Sequence, residues 1–292
     1  MGIRRVEAST GWELGTLKFG VALGRLNPAF FVDVVDETER LGFESAWLPE
    51  HLVFPVQMSS SPFAGEEHPP VPPSTPVFDA FAYLSFLAGR TSRVRLGTHV
   101  YNLGLRNPFI AARAVQTLDI VSGGRALFGI GASWLQSEWE AVGLDFHTRG
   151  KRVDEAIGVC KRLWTEEVVE HHGEFFDFGP VMFEPKPLQK PHPPVLVGGE
   201  SGGALRRTAR FGDGWIGLDH TPESVQEPIK KLAELRGDGP PIEITIGGNV
   251  QSPDDVKRFE EAGVHRLLIS PWRRSPEAVD GLRRFAETVG VG

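Results

Sequence analysis

Glu50 and His51 close the run SAWLPEH, where a short apolar segment gives way to two ionisable side chains. Imidazole titrates near neutrality, so a histidine in that position can donate a hydrogen bond to a ligand or shuttle a proton. A structural hydrogen bond under the following loop is the other reading of His51. Gly198, Gly199, Glu200, Ser201 and Gly202 form a second candidate, joining an apolar run to a helical segment. Bare backbone amides at a helix N-terminus attract phosphate through aligned N–H groups and the helix dipole. The Ser201 hydroxyl adds a donor there, although as a pattern alone two glycines also suit a plain tight turn. The third candidate is the run GRALFGIGASW, in which Gly129, Gly131 and Ala132 leave the backbone bare as an apolar strand ends. Ser133, Trp134 and Ser137 follow, and Trp134 reads either as a stacking surface for a substrate or as a plug.

Other chemistries find less support. His171-His172 has no partners at metal-ligand spacing, so no metal site is expected. Cys160, the only cysteine, falls on the apolar face of a helix and reads as core. Gly131-Ala132-Ser133 lacks the second glycine of a nucleophile elbow, and no phosphate-binding G-x-x-x-x-G-K-[ST] loop exists. Arg149, Arg152 and Asp154, with Glu138 nearby, read as ion pairs that hold a loop onto its helix.

The elements that would position these residues are legible as a repeating pattern. Apolar strand-like runs lie at 18–23, 45–48, 94–100, 126–130, 195–197, 214–218, 242–246 and 266–269, with helical segments between them. Val153, Ala156, Ile157, Cys160, Leu163 and Trp164 share one helical face, with charged residues opposite. Asn27-Pro28 and Asn107-Pro108 each place a capping residue before a proline at a first helical position. Eight strands alternating with helices predict a (β/α)8 TIM barrel over residues 1–292 as a single domain, with a doubly wound open sheet as the alternative. In either architecture ligands bind beyond the C-terminal ends of the strands, so all three candidates fall on one rim. The Pro- and Ser-rich stretch 52–76 follows the second strand as an insertion loop and reads as a lid. Its Phe54, Met58 and Phe63 point to an apolar pocket wall. Residues 168–178 read as a small hairpin.

Composition narrows the class further. Of 292 residues, 40% are hydrophobic and 24% charged, as in globular proteins. A net charge of −7 argues against broad nucleic-acid binding. No apolar run reaches the length of a membrane span and no N-terminal segment reads as a secretory signal. With one cysteine, a cytoplasmic setting is expected.

Five segments, SAWLPEHLVFP, RVRLGTHVYNLGLRNP, GRALFGIGASW, HGEFFDF…FEPKPLQKPHPPVLVGG and ALRRTARFGDGWIG, resemble the bacterial luciferase-like flavin and deazaflavin oxidoreductases. The likeness is greatest to the branch that uses coenzyme F420. This resemblance implies a TIM barrel with the coenzyme across its C-terminal mouth and hydride transfer to or from a small organic substrate. It implies catalytic roles for His51 and Glu50, with Glu50 tuning or orienting the imidazole. It also implies a cis peptide at His99-Val100 supporting the coenzyme ring; for His99 itself, a buried, satisfied side chain and a ring contact are both open. Ala132, Ser133 and Ser137 would meet the coenzyme's edge or ribityl chain, and Gly198–Gly202 its phosphate. Some FMN-dependent relatives carry an arginine close to Ala132, and its absence here favours F420 over FMN. An FMN-dependent monooxygenase and a non-catalytic flavin-binding protein are the alternatives. The family likeness further implies a homodimer.

Overall fold

The apolar runs become parallel strands because each is too short and too uniformly apolar to face water on either side. In the computed structural model, which describes residues 17–58 and 71–291, the chain begins with β1 (Lys18–Ala22), β2 (Ser45–Leu48), β3 (Arg95–Thr98), β4 (Tyr101–Asn102) and β5 (Ala126–Gly131). After β6 (Val168–His172) and β7 (Asp177–Met182) come β8 (Val195–Gly198), β9 (Gly214–Asp219), β10 (Glu243–Gly247) and β11 (Arg266–Ile269). Parallel pairing runs β1–β2–β3–β5–β8–β9–β10–β11 and returns from β11 to β1, which closes an eight-stranded barrel. The (β/α)8 expectation therefore holds, and the open-sheet alternative is excluded by the β1–β11 ladder. The run 94–100 is shortened, since its last two residues form a cis peptide at His99-Val100 and the chain then re-pairs with β5 through the two-residue β4.

The helices are α1 (Phe31–Leu41), α2 (Ala80–Ala88), α3 (Pro108–Val121), α4 (Gln136–Ala141), α5 (Arg149–Thr165), α6 (Gly202–Phe211), α7 (Gln226–Arg236), α8 (Pro253–Glu261) and α9 (Ala278–Val289). Asn107 accepts from the Phe109 amide and starts α3 as anticipated. Asn27 caps a single 3₁₀ turn that leads into α1. β6 and β7 form the antiparallel hairpin expected near 168–178, extended by four residues to Met182. Phe63 and part of the 52–76 stretch lie outside the described residues.

Three layers fill the barrel. In the middle, Trp47, Leu127, Leu196, Ile216 and Leu268 pack together. The Trp47 indole fits because Gly97 and Gly20 lack a Cβ, which would come within 2.4 Å and 2.7 Å of it. At the N-terminal end, buried Arg266 pairs with Glu44 at 2.8 Å and with Glu243, and sits 5.5 Å from the Trp47 ring centre. Burial alone would push the Glu44 carboxyl up, but Arg266 beside it holds the group down at about 2. The third layer, at the C-terminal mouth, begins with half-buried Ala22 and Val100 lying on the apolar middle. No helix among the described residues is long and apolar enough to cross a membrane.

Candidate active site

The polar groups of the mouth come from the ends of β2, β3 and β5. Pro49 ends β2 and the next two residues turn their side chains in different directions. Glu50 is 4% exposed and receives both arms of the Arg106 guanidinium, Nη1 at 3.1 Å from Oε2 and Nη2 on Oε1. The Asn102 amide donates to the same carboxylate at 2.9 Å. Burial pushes the Glu50 carboxyl above the usual range; Arg106 and the Asn102 amide oppose the rise without cancelling it, and the Glu138 charge adds to it.

His51 lies on the other side of that backbone. Its Nδ1 is 3.1 Å from Glu138 Oε2 on α4, and Glu138 is fully buried. The same carboxylate accepts from the Leu52 amide at 2.6 Å and faces Asn102 Nδ2 and Ser133 Oγ at 3.5 Å and 3.4 Å. An ionised carboxylate is acceptor-only, so Nδ1 carries the hydrogen and Nε2 is left as the exchangeable nitrogen. Nε2 meets no protein partner among the described residues. The ring is held between Phe54, with centroids 4.6 Å apart, and the edge of Trp134 at 5.8 Å. Thus the carboxylate that orients His51 is Glu138, and the expectation that Glu50 does so gives way: Glu50 is fully committed to Arg106 and Asn102.

A cavity of about 460 Å³ opens beside His51, between the loop after β1, the loop after β2 and Trp134. Its walls include Leu23, Leu26, Phe31, Phe54 and Val77. At the end of the neighbouring strand β3, His99 packs edge-on against Trp47 at 6.5 Å. Burial lowers its pKa to about 4 against the opposing charge of Asp219, so the ring is neutral at pH 7. The Val100 side chain rests over Gly131 and Gly198, where an added Cβ would approach it to 2.6 Å and 2.9 Å. The model described as luciferase-like monooxygenase matches residues 15–288, a span that contains all of these groups. The chain belongs to the luciferase-like monooxygenase family.

Family relatives span more than one coenzyme. An uncharacterized protein of Mycobacterium tuberculosis (strain ATCC 25618 / H37Rv) is 30% identical over 287 residues, covering 94% of this chain and 99% of its own length. The F420-dependent glucose-6-phosphate dehydrogenase of Kineococcus radiotolerans is 30% identical over 220 residues, 72% of this chain and 60% of its own. The FMNH(2)-dependent dimethylsulfone monooxygenase of Pseudomonas putida is 28% identical over 189 residues, 63% of this chain and 51% of its own. This luciferase-like chain is accordingly an enzyme of the oxidoreductase class.

Other predicted residues of the luciferase-like site take varied positions. Ala132 is half-buried against the core, Ser137 is half-buried on α4, and Ser133 adopts φ 64 with its hydroxyl between Glu138 and the Leu135 amide. Gly199 turns the chain at φ 117, and Ser201 caps α6 by accepting from the Ala204 amide at 3.2 Å. Gly202 and Gly203 follow in the first turn, exposed, where helix amides have no intrahelical acceptor. Glu200 turns away toward β9, accepting from the Leu218 amide at 2.7 Å and meeting His220 Nε2 at 3.3 Å.

The supposed charge cluster disperses. Arg149 bonds the Phe146 carbonyl, Arg152 the Gly104 carbonyl, and Asp154 joins Arg207 on α6. Glu138 belongs to His51 instead. Asn102 and Arg106 went unnoticed in the sequence, although both lie inside RVRLGTHVYNLGLRNP. The available signal was Glu50 itself, because a carboxylate at the end of a buried strand requires a cation.

Proposed function

We propose that this chain transfers a hydride between coenzyme F420 and a small organic substrate at the barrel mouth. One observation carries the reading: His51, with Nδ1 held by a buried carboxylate, presents an Nε2 that has no partner among the described residues, beside a cavity at a strand end. That is the arrangement of a group that takes or returns a proton while the hydride moves. Bound F420 would supply the hydride chemistry itself. The mouth fits such a group. Ala22 and Val100 offer an apolar floor for a flat ring, and neutral His99 can hydrogen-bond without adding charge. The first-turn amides of Gly202 and Gly203, with the Ser201 hydroxyl, suit a phosphate. Ala132 and Ser133 line the approach between them. Glu50 and Arg106 brace the β2 and β3 ends that carry these groups.

Titrating the purified protein with F420 and with FMN, followed by fluorescence, tests the coenzyme. Saturable F420 binding with weak or no FMN binding is expected. Tight FMN binding without F420 binding would replace this reading with an FMN-dependent monooxygenase. Binding of either coenzyme with no turnover on any substrate would favour a flavin-binding protein.

The proposal includes a homodimer in a reducing cytoplasm. Helix α2, AFAYLSFLA, is apolar around its circumference and packs beside α3. The two leave Phe86, Ile110 and Val121 exposed, apolar surface that a partner copy would cover. Light scattering is expected to give twice the mass of one chain, and the Phe86→Asp/Ile110→Asp double variant the mass of one. A wild-type protein with the mass of a single chain would remove the dimer from the proposal.

A further inference from the structure

The cavity beside His51 also carries information about what it takes. Its buried lining is almost wholly apolar, Leu23, Leu26, Phe31 and half-buried Phe54 and Trp134, with Val77 at its open edge. The polar side chains that reach it are nearly all occupied. Glu50 is consumed by Arg106 and Asn102, and the Thr75 hydroxyl donates to the Pro72 carbonyl at 2.7 Å. Asn27 accepts from the Ala29 amide, and both Asn27 and Arg25 sit exposed at the rim. Among the described residues, His51 Nε2 is therefore the inner polar atom left for a ligand. At about 460 Å³ the space equals roughly fifteen water molecules at ~30 Å³ each, well beyond the needs of a two- or three-carbon compound.

We infer that the substrate is a neutral, bulky apolar molecule bearing a single oxygen function, bound in this cavity with a hydroxyl donating to His51 Nε2 or, when the imidazolium holds a proton there, a carbonyl accepting from it. The inference rests on the hydride-transfer reading for what then happens to the molecule, but not for its binding. Three features support the class. An apolar wall rewards removal of apolar surface from water. A sugar phosphate or carboxylate would have to shed its hydration with no buried, uncommitted cation among the described residues to receive it, since the Arg106 guanidinium is already paired with Glu50. A second hydroxyl placed against the wall would lose its water partners without replacement. The relative named for glucose 6-phosphate thus differs from this chain in substrate class, on the chemistry of the cavity.

Coenzyme-free protein supplies the test, with tryptophan fluorescence and calorimetry as readouts. The probes are 4-tert-butylcyclohexanone, its alcohol, the isosteric 4-tert-butylcyclohexanecarboxylate and glucose 6-phosphate. The ketone and alcohol are expected to bind saturably, and the two anions at least roughly tenfold more weakly. Val77→Asp, at the half-open edge of the cavity, should weaken the ketone by roughly tenfold or more while the thermal melt stays close to wild type. Phe54→Ser serves as the second variant, with the same expected direction. Equal or tighter binding of either anion, abolished by Arg25→Ala, would overturn the inference in favour of an anionic substrate held at the rim. Indifference of the ketone to both wall variants would overturn it as well. Ketone binding without F420 binding would sink the hydride-transfer reading alone; F420 binding without ketone binding would sink this inference alone.

Discussion

His51→Ala is expected to lower the rate of hydride transfer by roughly 10²–10⁴-fold, the usual contribution of a positioned acid or base. Coenzyme affinity should change far less, because the proposed floor, Ala22 and Val100, and the proposed phosphate amides at the α6 N-terminus do not include the imidazole. Single-turnover measurements at saturating coenzyme, alongside a fluorescence titration, separate the two effects. An unchanged rate would remove His51 from the mechanism. Glu138→Gln sharpens the result. Its amide can donate to Nδ1, which would move the ring hydrogen to Nε2 and leave the wrong tautomer facing the cavity, the kind of defect seen when a histidine loses its orienting carboxylate. The rate should fall with little change in substrate affinity, and Glu138→Asp should recover only part of it.

Arg106→Ala is expected to cost about 3–5 kcal/mol of stability, since it strands Glu50 as an uncompensated buried charge. Arg106 also lies 4.4 Å over the Tyr101 ring, so some packing is lost with the charge. The loss is pH-dependent, and its sign follows from linkage. The Glu50 carboxyl already titrates above its unfolded value. Removing Arg106 raises it further, so the folded state binds the extra proton and stability falls as pH rises through that range. The variant's deficit should therefore shrink at acidic pH and grow toward neutrality. Urea unfolding at several pH values measures this. A pH-independent deficit would mean that lost packing, not the stranded carboxylate, dominates. Replacing the pair together, Glu50→Leu with Arg106→Met, should recover much of the stability without restoring the geometry of the β2 and β3 ends.

The strand runs, the two asparagine caps, the amphipathic face of α5 and the hairpin were all legible in the chain because each depends on neighbours within a few residues. The β2 end was legible for the same reason: ionisable side chains directly after an apolar strand announce a rim. Partner choice at the rim was not. Glu138 lies 87 residues from His51 and Arg106 lies 56 from Glu50. Nothing in the spacing of SAWLPEH distinguishes a carboxylate that holds the imidazole from one that braces a strand. Glu138 even has closer charged neighbours in sequence, Arg149 and Arg152, which proved to face carbonyls elsewhere.

Residue type and local period thus determined the strands and helices, the barrel pattern, and the placement of Glu50 and His51 at its mouth. Barrel closure determined the pairings, because it brings the ends of β2, β3 and β5 together and buries them in one place. Burial then makes each unpaired charge costly, so the charged side chains there take partners from whatever the closure delivers. Glu50 receives Arg106, His51 receives Glu138, and the imidazole keeps one nitrogen for the cavity.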